Sequence, residues 1–157
     1  MMKDIIQLDS LDKRILNALQ KDANLNGIAL AEAVSSSPAS CWRRIRAMQD
    51  AGILNKPVYL VDRIAVNKDI DVICMLKLVS HSELDAISFE SFINQQDNIV
   101  ECYTVSGEWD YLLRIVETDI RSYETFLKKV LLRHPTVAHA NSRFALSRIK
   151  YTTAIPV

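Results

Sequence analysis

Glycine is scarce in this chain. Only Gly27, Gly52 and Gly107 occur among 157 residues, and no glycine-rich phosphate loop can be assembled from them. Cysteine is equally sparse. Cys41, Cys74 and Cys102 lie about thirty residues apart, forming neither a CxxC pair nor a Cys/His cluster, which argues against structural zinc. An odd number of scattered thiols predicts reduced cysteines in a cytoplasmic protein. No apolar run approaches the length of a bilayer span, and "MMKDIIQLDSLDKR" carries early acids with no long apolar core, so neither a membrane partner nor a secretory signal is expected. GxSxG and HExxH are missing too, and the three histidines, His81, His134 and His139, stand in no assignable triad. The expectation is a protein that is not an enzyme, with no cofactor and no metal site.

Net charge is also absent, with 19 basic and 19 acidic residues. The balance is uneven along the chain, however. No acid falls between Glu32 and Asp50, and Arg43, Arg44 and Arg46 all lie in that gap. The local field is therefore positive.

Up to about residue 55 the apolar period is helical. Asp9 is placed to cap a helix with Leu11, Ile15, Ala18 and Leu19 on one face. "KDANLNG" ends it, and a short helix follows with Leu30, Ala31 and Val34 inward. After "SSS", Ser37-Pro38 supplies an N-cap and a first-turn proline for a third helix, which Ala51-Gly52 stops. Beyond Pro57 the pattern changes. "PVYLVD" reads as a strand and "RIAVNKDID" as a connector, and then strands and helices alternate. "VICMLKLVS", "IVECYTVS" and "DYLLRIVE" read as strands, "SELDAISFESFINQQ" and "DIRSYETFLKKVLLRH" as helices, and "VAHANSRFALSRIKYTT" as a long strand or a bent pair. The order is βαββαβ, a ferredoxin-like split unit with both helices on one face of an antiparallel sheet. Tyr103, Val105, Leu112, Phe144 and Leu146 supply apolar area on one face or the other, and an open apolar sheet face implies a partner subunit. The predicted fold class is α+β, divided into residues 1–57, a linker strand and connector over 58–70, and a domain over 71–157.

At 100° per residue, Cys41, Ile45 and Met48 form the buried side of the third helix. Ala39, Arg43, Arg46 and Asp50 fall opposite, with Ser40, Trp42 and Arg44 on the flanks. Charged outer faces are ordinary, and these arginines by themselves suit a solvated surface or a polyanion equally well. The short turn, the Ser-Pro start and the helix just upstream favour a helix-turn-helix that enters the major groove of double-stranded DNA. Arg43 and Arg46 then reach toward bases, while Arg44, Ser37 and Ser40 reach toward phosphates. Ala39 keeps the leading end small. For Trp42, packing or phosphate contact ranks above direct base readout.

These stretches together resemble the Lrp/AsnC, or feast/famine, family of transcriptional regulators. "LDSLDKRILNALQKDANLNGIALAEAV" resembles the family's opening helices and "SPASCWRRIRAMQDAGIL" its recognition helix. "VSGEWDYLLRI" is similar to its strand–glycine–loop–aspartate–strand signature, and "SRFALSRIKYTTAIP" to its last strand. The resemblance implies a winged helix-turn-helix joined to an ACT-type αβ-sandwich domain, homodimers paired through their sheets, and often octamers formed as tetramers of dimers. Three departures bear on wing geometry and oligomer shape. Ser35-Ser36 stands where glycine-leucine is common, "ILNKPVY" lacks the usual glycine, and Thr136 replaces glycine in a Pro-Gly-Val stretch.

Gly107 lies between two strands, where a turn requires positive φ, and hairpin geometry alone accounts for it. The other reading is that exposed N–H groups there, beside the Asp110 carboxylate, bind the carboxylate and ammonium of an amino acid. The resemblance implies a small amino-acid effector at this loop, between dimers, on Ser106, Gly107, Glu108, Asp110 and Tyr111, with Thr104 and Ser142. It implies a sequence-specific regulator of amino-acid metabolism genes. The alternatives are a ligand-sensing interaction protein and an architectural DNA-wrapping protein without effector control.

Overall fold

The computed structural model describes residues 7–157; the expected first domain starts in residues that lie outside the described ones. The chain divides into two compact units, one of residues 1–59 with 150–157, the other of residues 60–149.

The first unit is built on α1 (Ser10–Leu19), α2 (Gly27–Ala33) and α3 (Pro38–Asp50). The start of α1 is fixed by a reciprocal cap. The Asp9 carboxylate accepts from the Leu11 and Asp12 amides, and Asp12 accepts from the Asp9 amide. Asn26 caps α2 one way only, its side-chain oxygen accepting from the Ile28 and Ala29 amides. Both α2 and α3 end in Schellman motifs. Gly52 (φ +69°) donates to Gln49 and Ile53 to Met48, as expected of a glycine exit. At the turn between α2 and α3, Ser35 occupies the equivalent left-handed position (φ +51°), donating to Glu32 while Ser36 donates to Ala31. Ile15, Leu16, Leu30, Val34, Cys41 and Met48 form the core.

The second unit carries β1 (Ile70–Leu78), α4 (Glu83–Ile93), β2 (Ile99–Thr104), β3 (Tyr111–Glu117), α5 (Ile120–Lys129) and β4 (Val137–Phe144). The sheet order is β2-β3-β1-β4 and every pair is antiparallel, as the βαββαβ reading requires. Val72, Cys74 and Leu76 of β1, with Leu113 and Ile115 of β3, point to the helix side and meet Phe89, Tyr123 and Leu131. Burying each such large side chain is worth about 1.5–3 kcal/mol.

The opposite face carries Ile73 and Met75 of β1 and Leu112 directly across from Tyr103. It also holds an ion network. Arg114 grips Asp71 through two bonds of 3.0 Å and reaches Glu101 at 2.9 Å, and Arg63 lies 3.6 Å from Asp71. Asp71 is 6% exposed, so its charge is compensated by arginine rather than by water.

Several expectations need correction. "PVYLVD" forms no strand: Val58, Tyr59, Leu60 and Val61 are exposed and have no ladder partner among the described residues. A strand sequence without a neighbouring strand gains no ladder hydrogen bonds. The last strand stops at Phe144, opposite Val72 of β1, and one further bond, from the Ala145 amide to the Asp71 carbonyl, closes the pairing. The rest of "VAHANSRFALSRIKYTT" leaves the sheet, and residues 150–157 join the first unit rather than the expected 71–157 domain. Phe144 faces the helices, its ring 5.4 Å from Tyr123, and Leu146 lies outside any strand. The second long helix ends at Lys129 and is followed by a single 3-10 turn, Leu131–Arg133, which lets Leu131 reach the core. Thr136 is buried, with its hydroxyl on His134 (2.8 Å) and its carbonyl accepting from Val79.

Candidate DNA-binding helix and effector loop

The start of α3 is set by Ser37, whose Oγ accepts from the Ser40 amide at 3.2 Å, with Pro38 in the first turn. That bond uses an oxygen lone pair and leaves the Ser37 O–H able to donate to a phosphate. Ala39 is exposed beside it and Ser40 half-buried. Cys41 and Met48 are buried and Ile45 partly so, which makes the inner seam the expected one. Arg43 and Arg46 are exposed on the far side.

Arg44 differs. Its guanidinium donates to Asp9 at 2.6 Å and to Asp12 at 2.8 Å, tying α3 back to the capped end of α1. The Asp12 amide, and after it the Arg44 guanidinium, holds the Asp9 carboxyl below its ordinary range. The expected phosphate role for Arg44 therefore meets a side chain already committed within its own unit. Trp42 lies mostly in solvent at the rim of a hollow shared with Leu19 and Leu30. It is 65% exposed, and the Arg46 guanidinium sits 5.6 Å from its ring centre, a cation–π arrangement one helical turn apart.

In the second unit the β2–β3 loop closes with Val105 donating to the Asp110 carbonyl at 3.0 Å, and Gly107 has φ +108°. Ser106 and Glu108 are exposed. Asp110 is sewn to the end of β1: its amide donates to Leu76, its Oδ2 accepts from the Leu78 amide at 2.8 Å, and its Oδ1 lies 3.6 Å from His81 Nδ1. Its carboxylate thus shapes the loop before it can meet any ammonium. Tyr111 turns inward. Its ring lies 4.7 Å from Phe89 and its hydroxyl donates to Glu90 at 3.0 Å; burial, with Glu90 next, pushes its pKa up to about 12. Thr104 pairs with Tyr111 across the ladder, over a hollow of about 300 Å³ shared with Glu90, Asn94 and Cys102.

Ser142 is not with this group. It lies on β4, at the opposite edge of the sheet from β2, and its hydroxyl is bonded to Tyr123 at 2.5 Å. Three strand spacings separate the two edges, about 14 Å. One small ligand cannot touch both Ser142 and Thr104 within a single chain.

Sequence reasoning missed the Arg44 anchor and the Asp71–Arg114 pair. A D-x-x-D capping pattern beside a solitary run of arginines was the available signal for the first. Nothing local signals the second, whose partners are far apart in the chain.

A basic helix seated on a helix-turn-helix, followed by a βαββαβ sheet, matches known proteins over nearly the whole chain. Residues 8–55 match the family model described as winged helix-turn-helix DNA-binding, and residues 71–155 match that of the Lrp/AsnC ligand binding domain. The chain belongs to the Lrp/AsnC family. Among its relatives is the DNA-binding transcriptional activator DecR of Escherichia coli (strain K12), 32% identical over 96% of this chain and 99% of that protein. Among solved structures, an AsnC family transcriptional regulator from Agrobacterium tumefaciens is 37% identical with a TM-score of 0.90, covering 95% of this chain and 97% of that one. A Neisseria meningitidis transcriptional regulator, crystallised as its L-Met complex, is 31% identical with a TM-score of 0.92, covering 96% of this chain and 97% of that one. The fold is therefore α+β, a winged helix-turn-helix followed by the Lrp/AsnC sheet domain. Lrp/AsnC members are DNA-binding transcriptional regulators and not enzymes. Among the described residues no helix is long and apolar enough to cross a membrane.

Proposed function

We propose that this Lrp/AsnC protein is a sequence-specific regulator that binds double-stranded DNA through α3 and responds to a small amino acid in its control of amino-acid metabolism genes. The observation that carries the reading is the state of Arg43 and Arg46. Both project from the side of α3 opposite Cys41 and Met48, and among the described residues neither pairs with a carboxylate. Guanidinium groups so placed suit bidentate contacts to guanine and charge-assisted contacts to phosphate. Ser37 and the leading amides of α3 suit a phosphate at the positive end of the helix.

The effector reading rests on the Gly107 loop, with Ser106, Glu108 and Asp110, and on the likeness to the Neisseria regulator crystallised with L-Met. Assembly as homodimers is supported by the apolar side chains Ile73, Met75, Tyr103 and Leu112 on the sheet face away from the helices, and octamers of four dimers are what the family resemblance implies. A homodimer presents two recognition helices to successive major-groove faces.

Gel-shift titration on DNA upstream of its own gene tests the first part. Retention is expected to weaken steeply with salt, and an absence of salt-dependent retention, with or without amino acids, overturns it. A thermal-shift screen of the twenty amino acids with light scattering tests the second, since a ligand that binds only the folded state raises its melting temperature. No shift with any of them removes the sensor role.

A further inference from the structure

The last eight residues, 150–157, group with the helix-turn-helix although the sequence before them runs through the sheet unit. One side chain makes a two-point bond to them. Gln20, the C-cap residue of α1, donates from Nε2 to the Ile155 carbonyl at 2.9 Å and accepts at Oε1 from the Ile155 amide at 2.7 Å. This reproduces the exchange of N–H and C=O between hydrogen-bonded partners on antiparallel strands, with a side-chain amide standing in for the second strand. The tail suits the pairing. Pro156 biases Ile155 toward an extended backbone, and Thr152 Oγ1 accepts from the Ala154 amide to shape the approach. Thr153, from the same tail, lines a mainly apolar hollow of about 530 Å³ together with Trp42, Ile45 and Gln49 of α3 and with Leu54. The tail therefore borders the recognition helix on the side that carries Trp42, the ring over which the Arg46 guanidinium sits.

We propose that Gln20 is a positioning residue for DNA binding, which fastens the C-terminal segment 150–157 onto the helix-turn-helix and makes that segment a working part of the DNA-binding unit. The helix-turn-helix is then joined to the rest of the chain at both ends, through the chain leaving after residue 59 and through the tail returning after residue 149. Its conformational freedom is reduced by a closed loop rather than a single tether. The bonds are solvent-facing, so their effect is expected on the placement of α3 more than on global stability. The proposal goes beyond the amino-acid response, since it assigns no ligand to the tail.

The test uses the full chain with Gln20→Ala, Ile155→Pro and the double variant. Ile155→Pro removes the donated N–H and the isoleucine side chain and fixes φ while keeping the carbonyl acceptor, and alanine is well tolerated at the end of a helix. Hydrogen exchange of the C-terminal peptide should show protection at the Ile155 amide that Gln20→Ala removes, while Ile155→Pro, which has no amide there, is read through affinity. Affinity for one fixed upstream DNA fragment at fixed salt should fall about three- to tenfold for each single variant, the scale of one or two net hydrogen bonds. The double variant should be no weaker than the weaker single, because both break one clasp. An Ile155 amide that exchanges as freely as an unstructured chain overturns the proposal, as do unchanged affinities or losses that multiply in the double variant. The exchange result is independent of which DNA or amino acid is bound, so its failure is separable from failure of the regulator reading.

Discussion

Arg44 and Asp12 meet at 2.8 Å, and the same guanidinium holds Asp9 at 2.6 Å, so one arginine of the recognition helix serves as an anchor rather than a probe. Arg44→Ala is expected to lower the melting temperature while leaving the slope of log affinity against log salt unchanged, because no phosphate contact is lost. The link also depends on pH. A carboxyl whose folded pKa is depressed contributes stability that is full above its unfolded value and is lost as pH falls through the folded one. For Asp9, whose ordinary value is 3.8, that window lies at and below pH 4, and Asp9→Asn should flatten the acid limb of a stability–pH curve there.

Arg43 behaves oppositely. It is exposed with no carboxylate partner among the described residues, so Arg43→Ala should leave the melting temperature near its original value. If it reads a guanine, the substitution costs about 1–3 kcal/mol of binding and relaxes preference at one base pair; if it meets phosphate, the salt slope falls by about one. Competition with single-base variants of the operator separates these outcomes.

The contrast between these two arginines marks where sequence reading stopped. The seam of Cys41, Ile45 and Met48 follows from helical period alone, and the sheet order follows from the alternation of strands and helices. Position on a helical wheel placed Arg44 at the flank, but its partners Asp9 and Asp12 belong to another helix and become visible only when α1 and α3 pack. Ser142 lies apart from Thr104 within one chain for a related reason. A motif string places it near the loop, whereas the ladder puts β4 and β2 at opposite edges. "PVYLVD" carried strand-forming residues without the neighbouring strand that would make one.

Ser35 holds a left-handed backbone (φ +51°) that an L side chain enters at a cost, and both Schellman bonds around it are already made. Ser35→Gly relieves that cost and keeps the bonds. Net of the added freedom of the unfolded chain, a gain of about 0.5–1 kcal/mol is expected, read as a higher denaturation midpoint at unchanged slope.

The Arg114–Asp71 pair tests the ion network of the sheet. Asp71 is buried, so Arg114→Met takes away both of its arginine hydrogen bonds, leaves only Arg63 at 3.6 Å to balance its charge, and should destabilise the fold by about 3 kcal/mol. Replacing Asp71 as well, in an Asp71→Val/Arg114→Met chain, removes the under-compensated charge and should recover most of the loss. Chemical denaturation of the two single variants and the double variant measures the coupling.

Gly52 and Gly107 both have positive φ, and a Cβ on either would meet nothing within 4 Å, so any penalty of substitution at these sites is a backbone penalty. The two differ in angle. At +69° Gly52 is in the left-handed helical region, which asparagine tolerates, whereas at +108° Gly107 lies beyond it. Gly52→Asn should therefore cost little, and Gly107→Asn about 1–3 kcal/mol of local strain. Because Asp110 clamps the far side of the loop to Leu76 and Leu78, relief of that strain has to come from residues 106–108. Gly107→Asn is accordingly expected to abolish the thermal shift produced by an amino acid while leaving DNA retention without amino acid intact, and Gly52→Asn to spare both. A Gly107→Asn chain that still shows the full shift would remove this loop from the effector site.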